Sequence, residues 1–256
     1  MNKETVSING LETYYEIAGV GPAILILHGW GGSSSSWSKV KTVIAEKGYK
    51  VICPDFPGFG KSQVPETTWG ISEYVEWTRN FIKSLNLNKV FIVGHSFGGR
   101  VAISLTSHYP ENVESLVLCS AAGIKHNPSL KTKTIFKLAK MWNAIFSLKL
   151  LAGIKDKARG FFYLFLRHKD YVKANLDMKE IMKKVLAEDL SPLLSKINTK
   201  TLIVWGDKDK IVSPKDALIF KEKIEKSKLV FLGGVGHSPH LEEPEKLADI
   251  ILKFLK

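Results

Sequence analysis

Hydrophobic and polar positions along the chain follow two rhythms. Residues 5–17 alternate apolar and polar side chains about Asn9-Gly10, the pattern of two antiparallel strands joined by a tight turn. Residues 23–27, 49–53, 90–93, 113–120, 201–205 and 229–232 are instead short, nearly unbroken apolar runs, as strands buried on both faces require. Between them lie stretches with helical spacing at 37–47, 72–85, 100–108, 214–226 and 244–254. Strands alternating with helices predict an α/β fold: a mostly parallel sheet with helices on both faces. From 124 to 190 the strand rhythm disappears, and clusters such as Ile135-Phe136-Leu138-Ala139-Trp142 and Phe161 to Leu166 predict roughly three to five inserted helices.

Composition adds limits rather than direction. At 256 residues, 45% hydrophobic and 24% charged, the chain can bury a sizeable core and has no low-complexity tract. No apolar signal core opens it and no apolar run approaches a membrane span, so a soluble cytoplasmic protein, monomer or homodimer, is expected. Cys53 and Cys119 each sit in an apolar run, which predicts buried reduced thiols, no disulfide framework and no metal site. The net charge of +12 is concentrated: residues 124–190 hold 15 Lys or Arg against 6 Asp or Glu. That location, within the inserted stretch, argues against nucleic acid or a membrane as the partner, and a solvated face is its ordinary meaning.

The chemistry is expected just after the strands. In parallel sheets, ligands sit at the carboxyl ends of the strands. His28 to Gly32, Asp55, Ser96, Asp209 and His237 all occupy such positions and should converge on one sheet edge. Gly94-His95-Ser96-Phe97-Gly98 has the G-x-S-x-G spacing between a strand and a helix, where residues without side chains let the two crowd a strained, outward-pointing serine. A serine hydroxyl needs a base, and His237 follows the last strand in Gly233-Gly234-Val235-Gly236-His237, a turn able to hold an imidazole over the edge. His95 adjoins Ser96, but neighbours at a strand end face opposite sides, so it should point away. The loop after residues 201–205 offers Asp207 and Asp209 as the acid that orients the imidazole; Asp209, further from the strand end, is preferred. Asp55 reads as a residue that holds its Pro/Gly-rich loop in shape. Oxyanion donors are expected from the Phe97 amide and from His28-Gly29-Trp30-Gly31-Gly32, with Trp30 preferred and Gly29 or Gly31 as alternatives.

These residues resemble the α/β-hydrolase superfamily over nearly the whole chain. Gly94 to Gly99 is similar to its nucleophile elbow, His28 to Gly31 to its oxyanion loop, and Asp55 to Ser62 to the segment after its fourth strand. Gly206 to Asp209 resembles its acid turn and Gly236 to Pro239 its histidine turn. The resemblance implies an eight-stranded sheet, a triad of Ser96, Asp209 and His237, a core of residues 1–123 and 191–256, and a helical cap at 124–190 above the pocket. Dehalogenases and epoxide hydrolases of the fold carry aspartate at the elbow, so serine at 96 argues against them. The expected activity is carboxylic ester hydrolysis through an acyl-enzyme, without a cofactor, on a largely apolar small molecule. His28, Gly29, Trp142, Phe161, Phe162 and Phe165 are the candidate substrate-binding residues. The alternatives are a C–C bond hydrolase of vinylogous diketones using the same triad, weakened by Ser238 where that branch often has tryptophan, and a ligand receptor with slow turnover.

Overall fold

A computed structural model describes residues 2–126 and 176–256. By contacts the chain divides into one unit of Met1–Ile124 with Leu176–Lys256 and a second of Lys125–Asn175. All but Lys125 and His126 of the second unit lies outside the described residues, as do the expected pocket residues Trp142, Phe161, Phe162 and Phe165.

The first unit is built on one eight-stranded sheet in the order β1-β2-β4-β3-β5-β6-β7-β8. The opening hairpin pairs β1 (Asn2–Ile8) with β2 (Leu11–Ala18), and the turn places Asn9 at φ 51° and Gly10 at φ 84°. Both central residues are left-handed, as the tight turn matching the strand twist demands, and Asn-Gly tolerates that conformation best. β2 runs antiparallel to β4 (Lys50–Pro54); β3 (Ala23–Leu27), β4, β5 (Val90–His95), β6 (Val113–Cys119), β7 (Thr201–Gly206) and β8 (Ser227–Leu232) are mutually parallel.

Alternation sorts the buried strand residues to two faces. Ile24, Ile26, Val51, Cys53, Val93, Val117 and Val204 pack in one cluster with Trp37, Val40 and Ile44 from the first helical segment, α1 (Ser38–Ala45) and the turn before it, and with Leu247 and Ile251 of the C-terminal helix. Leu25, Ile52, Ile92, Leu116, Leu118 and Ile203, equally buried, face the other side. There α2 (Ile71–Ser84) lies against α3 (Phe97–His108). Burial of both strand faces is why these segments read as continuous apolar runs. Between β3 and β5 the strand order reverses, and that switch point is where a parallel sheet opens a crevice at its carboxyl ends.

The chain re-enters the first unit through α4 (Leu176–Ala187). The sequence pattern places these residues in the insert; Arg100 of α3, itself buried, donates to the carbonyl of Val185 at 2.8 Å and to that of Glu188. The Glu188 carboxylate accepts the Ile71 amide at 3.0 Å, at the start of α2. Leu190 N–H donates to the carbonyl of Gly123 at 2.8 Å, so the chain's exit and return points are hydrogen-bonded to each other. The remaining described helices are α5 (Pro214–Lys223), the single turn α6 (Pro239–Glu242), and α7 (Pro244–Leu255).

Candidate active site

Strand β5 drives straight into α3, and Ser96 occupies the corner at φ 50°, ψ −111°. A positive φ at a residue with a side chain stores strain, and it persists because the surroundings over-determine it. Ser96 N–H donates to the Cys119 carbonyl at 3.3 Å, and its own carbonyl accepts from Gly99 at 3.0 Å and Ala122 at 3.1 Å. The glycines allow the crowding. A Cβ on Gly94 would stand 2.7 Å from the Gly98 carbonyl oxygen and 2.8 Å from the Ala102 Cβ, and one on Gly98 would collide with the Leu27 carbonyl oxygen. Ser96 itself remains partly exposed.

The loop after β3 lies beside this corner. A Cβ on Gly29 would fall 3.3 Å from that of Ser96. Asp55 fixes the loop from below, accepting the Ser34 amide at 2.6 Å on one oxygen and the Lys61 amide at 2.8 Å on the other. Its expected loop-holding function is thus visible in its bonds. Under Ser34 runs a buried ion pair: Lys41 binds Glu16 and donates to the Ser34 carbonyl at 2.9 Å. Burial pushes the Glu16 carboxyl up, but the bond and charge of Lys41 outweigh it and hold the pKa lowered.

His28, expected to touch substrate, is fully buried. Its Nδ1–H donates to the Gly29 carbonyl at 2.8 Å and its Nε2 accepts the Phe56 amide at 2.9 Å, so the ring has no polar atom left for a ligand. Burial, moderated by the Gly29 bond, lowers its pKa and keeps it neutral. The half-buried Trp30 indole packs edge-on against Phe59 at 4.8 Å and Phe97 at 5.3 Å. Among the described residues no hydrogen bond engages the Trp30 or Phe97 amide.

Two further loops complete the group. Asp209, after β7, has a fully buried carboxylate whose Oδ1 accepts the amides of Ile211 at 2.8 Å and Val212 at 3.0 Å. Its Oδ2 accepts from His237 Nδ1 at 2.8 Å, which fixes the imidazole tautomer and leaves the Nε2 lone pair toward Ser96 Oγ at 3.0 Å. Asp207, the alternative acid, accepts the Gly234 amide at 2.7 Å and shapes the turn instead. Carboxylate, imidazole and hydroxyl therefore form one continuous relay. Such a relay can raise the nucleophilicity of the hydroxyl.

Residues outside the sequence-based set support His237. The His95 Nε2–H donates to the His237 carbonyl at 2.8 Å, with the two rings 5.0 Å apart. The Glu242 carboxylate accepts the amides flanking His237, from Gly236 at 2.7 Å and from Ser238 at 3.1 Å. His240, buried, stacks on Trp37 with ring centroids 4.4 Å apart and 8° between planes, and its ring lies 4.5 Å from that of His95. Burial, then the neighbouring charges of His237 and His28, bring the His240 pKa down to about 3. Burial and then His240 and His237 push His95 well below its ordinary value in the same way. Adjacency to Ser96 was the one signal at His95; nothing local marked Glu242 or His240.

Sheet order, elbow and relay together define an α/β hydrolase architecture. A model of the alpha/beta hydrolase fold matches residues 22–244, and the chain belongs to that family. It is similar to Lipase 3 of Moraxella sp., 26% identical over 249 residues that cover 90% of this chain and 76% of the lipase. It is also similar to a 2-hydroxy-6-oxo-6-(2'-aminophenyl)hexa-2,4-dienoic acid hydrolase of Metapseudomonas resinovorans, 28% identical over 261 residues, covering 98% of this chain and 89% of that enzyme. Among solved structures, a serine hydrolase involved in carbazole degradation superposes with a TM-score of 0.76 at 27% identity, covering 99% of this chain and 98% of its own. Among the described residues no helix is long and apolar enough to cross a membrane.

Proposed function

We propose that the protein is a serine hydrolase that cleaves carboxylic esters through an acyl-enzyme. The observation that carries this reading is the unbroken Asp209–His237–Ser96 relay at 2.8 Å and 3.0 Å. In the proposed cycle Ser96 Oγ attacks the ester carbonyl while His237 Nε2 takes its proton. The Trp30 and Phe97 amides bind the oxyanion, each contributing about 3 kcal/mol of transition-state stabilisation. The intermediate collapses as His237 returns the proton to the leaving alcohol, and water then repeats the sequence on the acyl group, releasing the acid. Asp209 holds the imidazole and stabilises its charged form throughout.

A graded series of p-nitrophenyl esters, assayed with wild type and Ser96→Ala, tests the proposal. Turnover of at least one ester that disappears in the variant supports it; equal activity in both refutes it. A second reading is favoured by the likeness to the dienoic acid hydrolase: the same groups would cleave a C–C bond of a vinylogous diketone. A preference for that substrate over every ester would put this reading first. The expected helical cap at 124–190 and its aromatic pocket residues belong to the same proposal, as the part that selects the substrate.

A further inference from the structure

The three polar backbone groups around the reactive imidazole are each held by a side chain. The amides of Gly236 and Ser238 donate to the two oxygens of Glu242, at 2.7 Å and 3.1 Å, and the carbonyl of His237 between them accepts from His95 Nε2 at 2.8 Å. A carboxylate on one side and a neutral imidazole on the other thus clamp one tripeptide. We propose that Glu242 and His95 are positioning residues that fix the His237 turn so that its imidazole faces Ser96. This inference rests on the serine-nucleophile reading above.

Asp207 holds the start of the turn at Gly234, and the clamp fixes its end, where His237 stands. Residues 233, 234 and 236 are glycine, and Gly233, Gly234 and Gly236 are all accessible to solvent. Glycine gives the backbone more freedom than any other residue, which favours a wandering histidine. Misplacement of about 1 Å in a reacting group can cost on the order of 100-fold in rate. Glu242 supplies acceptors of the right kind: an ionised carboxylate binds N–H groups roughly twice as strongly as a neutral acceptor. It is carried by the single-turn helix α6, whose start Pro239 is buried. His95 is held in turn by burial, with its ring at 5.0 Å from that of His237 and 4.5 Å from that of His240. Among the described residues its Nδ1 has no hydrogen-bond partner, so the ring's polar contact is spent on His237.

A helix-capping function of Glu242 would affect stability alone, so the test separates turnover from binding and folding. Glutamine at 242 is similar in shape but offers one oxygen and an N–H₂ group, which faces an amide donor and cannot accept from it. Glutamine at 95 keeps a donor near the position of Nε2, whereas leucine does not. On the best ester substrate, Glu242→Gln and His95→Leu should lower kcat by about 10- to 100-fold with KM within about twofold, and His95→Gln should restore most of the loss. Amide exchange measured by NMR should quicken at Gly236 and Ser238 in Glu242→Gln. An unchanged kcat, or equal losses in His95→Leu and His95→Gln, overturns the inference while leaving the nucleophile reading intact. If a fluorophosphonate fails to label Ser96 in the wild type, the nucleophile reading falls instead. Unaltered exchange at Gly236 and Ser238 would then overturn the clamp independently.

Discussion

Substituting Asp209 by asparagine should abolish most activity, through the tautomer of a histidine that is itself unchanged. Oδ1 of Asp209 accepts two backbone amides, from Ile211 at 2.8 Å and Val212 at 3.0 Å, while Oδ2 faces His237 Nδ1. Asparagine has one oxygen to offer. Keeping it toward the two amides preserves both bonds; turning it toward the histidine sacrifices both, at about 1 kcal/mol each, or roughly 30-fold in population. The preferred variant therefore points N–H₂ at Nδ1, which must then accept, and the proton moves to Nε2. An Nε2–H cannot take a proton from Ser96. Triads that lose their acid in this manner slow by on the order of 10⁴-fold. The assay is kcat/KM on the best ester for wild type, Asp209→Asn and Asp207→Asn, with thermal melts to show that each folds. Asp207 accepts one amide, which an asparagine oxygen can still do, so that variant should stay within about tenfold of wild type. A fully active Asp209→Asn, or an Asp207→Asn worse than it, would refute the reasoning.

Acid should destabilise the fold through its buried histidines. The His240 pKa falls from an ordinary 6.5 to about 3 on folding, so between these values the unfolded chain binds a proton that the native state does not, and stability is lost as pH drops. At pH 4.5 the loss from His240 amounts to roughly 3 kcal/mol, with His95 and His28 acting in the same direction. Urea melts at neutral and acid pH should show it, and His240→Phe, which keeps the ring on Trp37, should flatten the dependence. Gly98→Ala should prevent folding or displace the elbow, since its Cβ would meet the carbonyl oxygens of Leu27 and His28; circular dichroism and solubility will tell. Lys41→Met should cost about 3–5 kcal/mol by leaving Glu16 charged and unpaired, whereas Lys41→Met with Glu16→Leu should recover much of that in denaturant titrations.

The strands were legible because burial on both faces leaves a plain apolar run, and because Asn9-Gly10 names its own turn. That Ser96, Asp209 and His237 lie together was legible from the G-x-S-x-G spacing and from each following a strand of a parallel sheet. Other features required the tertiary structure. His28 sits in the right loop, yet its nitrogens are consumed by Gly29 and Phe56, a backbone contact no local pattern announces. Lys41, between Val40 and Thr42 in α1, carries no local sign of the Glu16 carboxylate that β2 brings to it. His95 and Glu242 act on a turn brought beside them by folding; His95 stands 142 positions away along the chain from the carbonyl it binds. The alternation rule could not say that the His95 ring would meet the His237 turn.

The bond between Leu190 and Gly123 makes the two ends of the intervening segment neighbours. A segment tethered at adjacent points imposes little closure entropy on its host, and that penalty grows slowly with length. Changes of length within residues 125–175 should therefore add little closure cost, whereas Val185 and Glu188 remain tied to Arg100 and Ile71. Residues 125–175, a separate unit by contacts, thus join the sheet-bearing unit through chain ends that lie side by side.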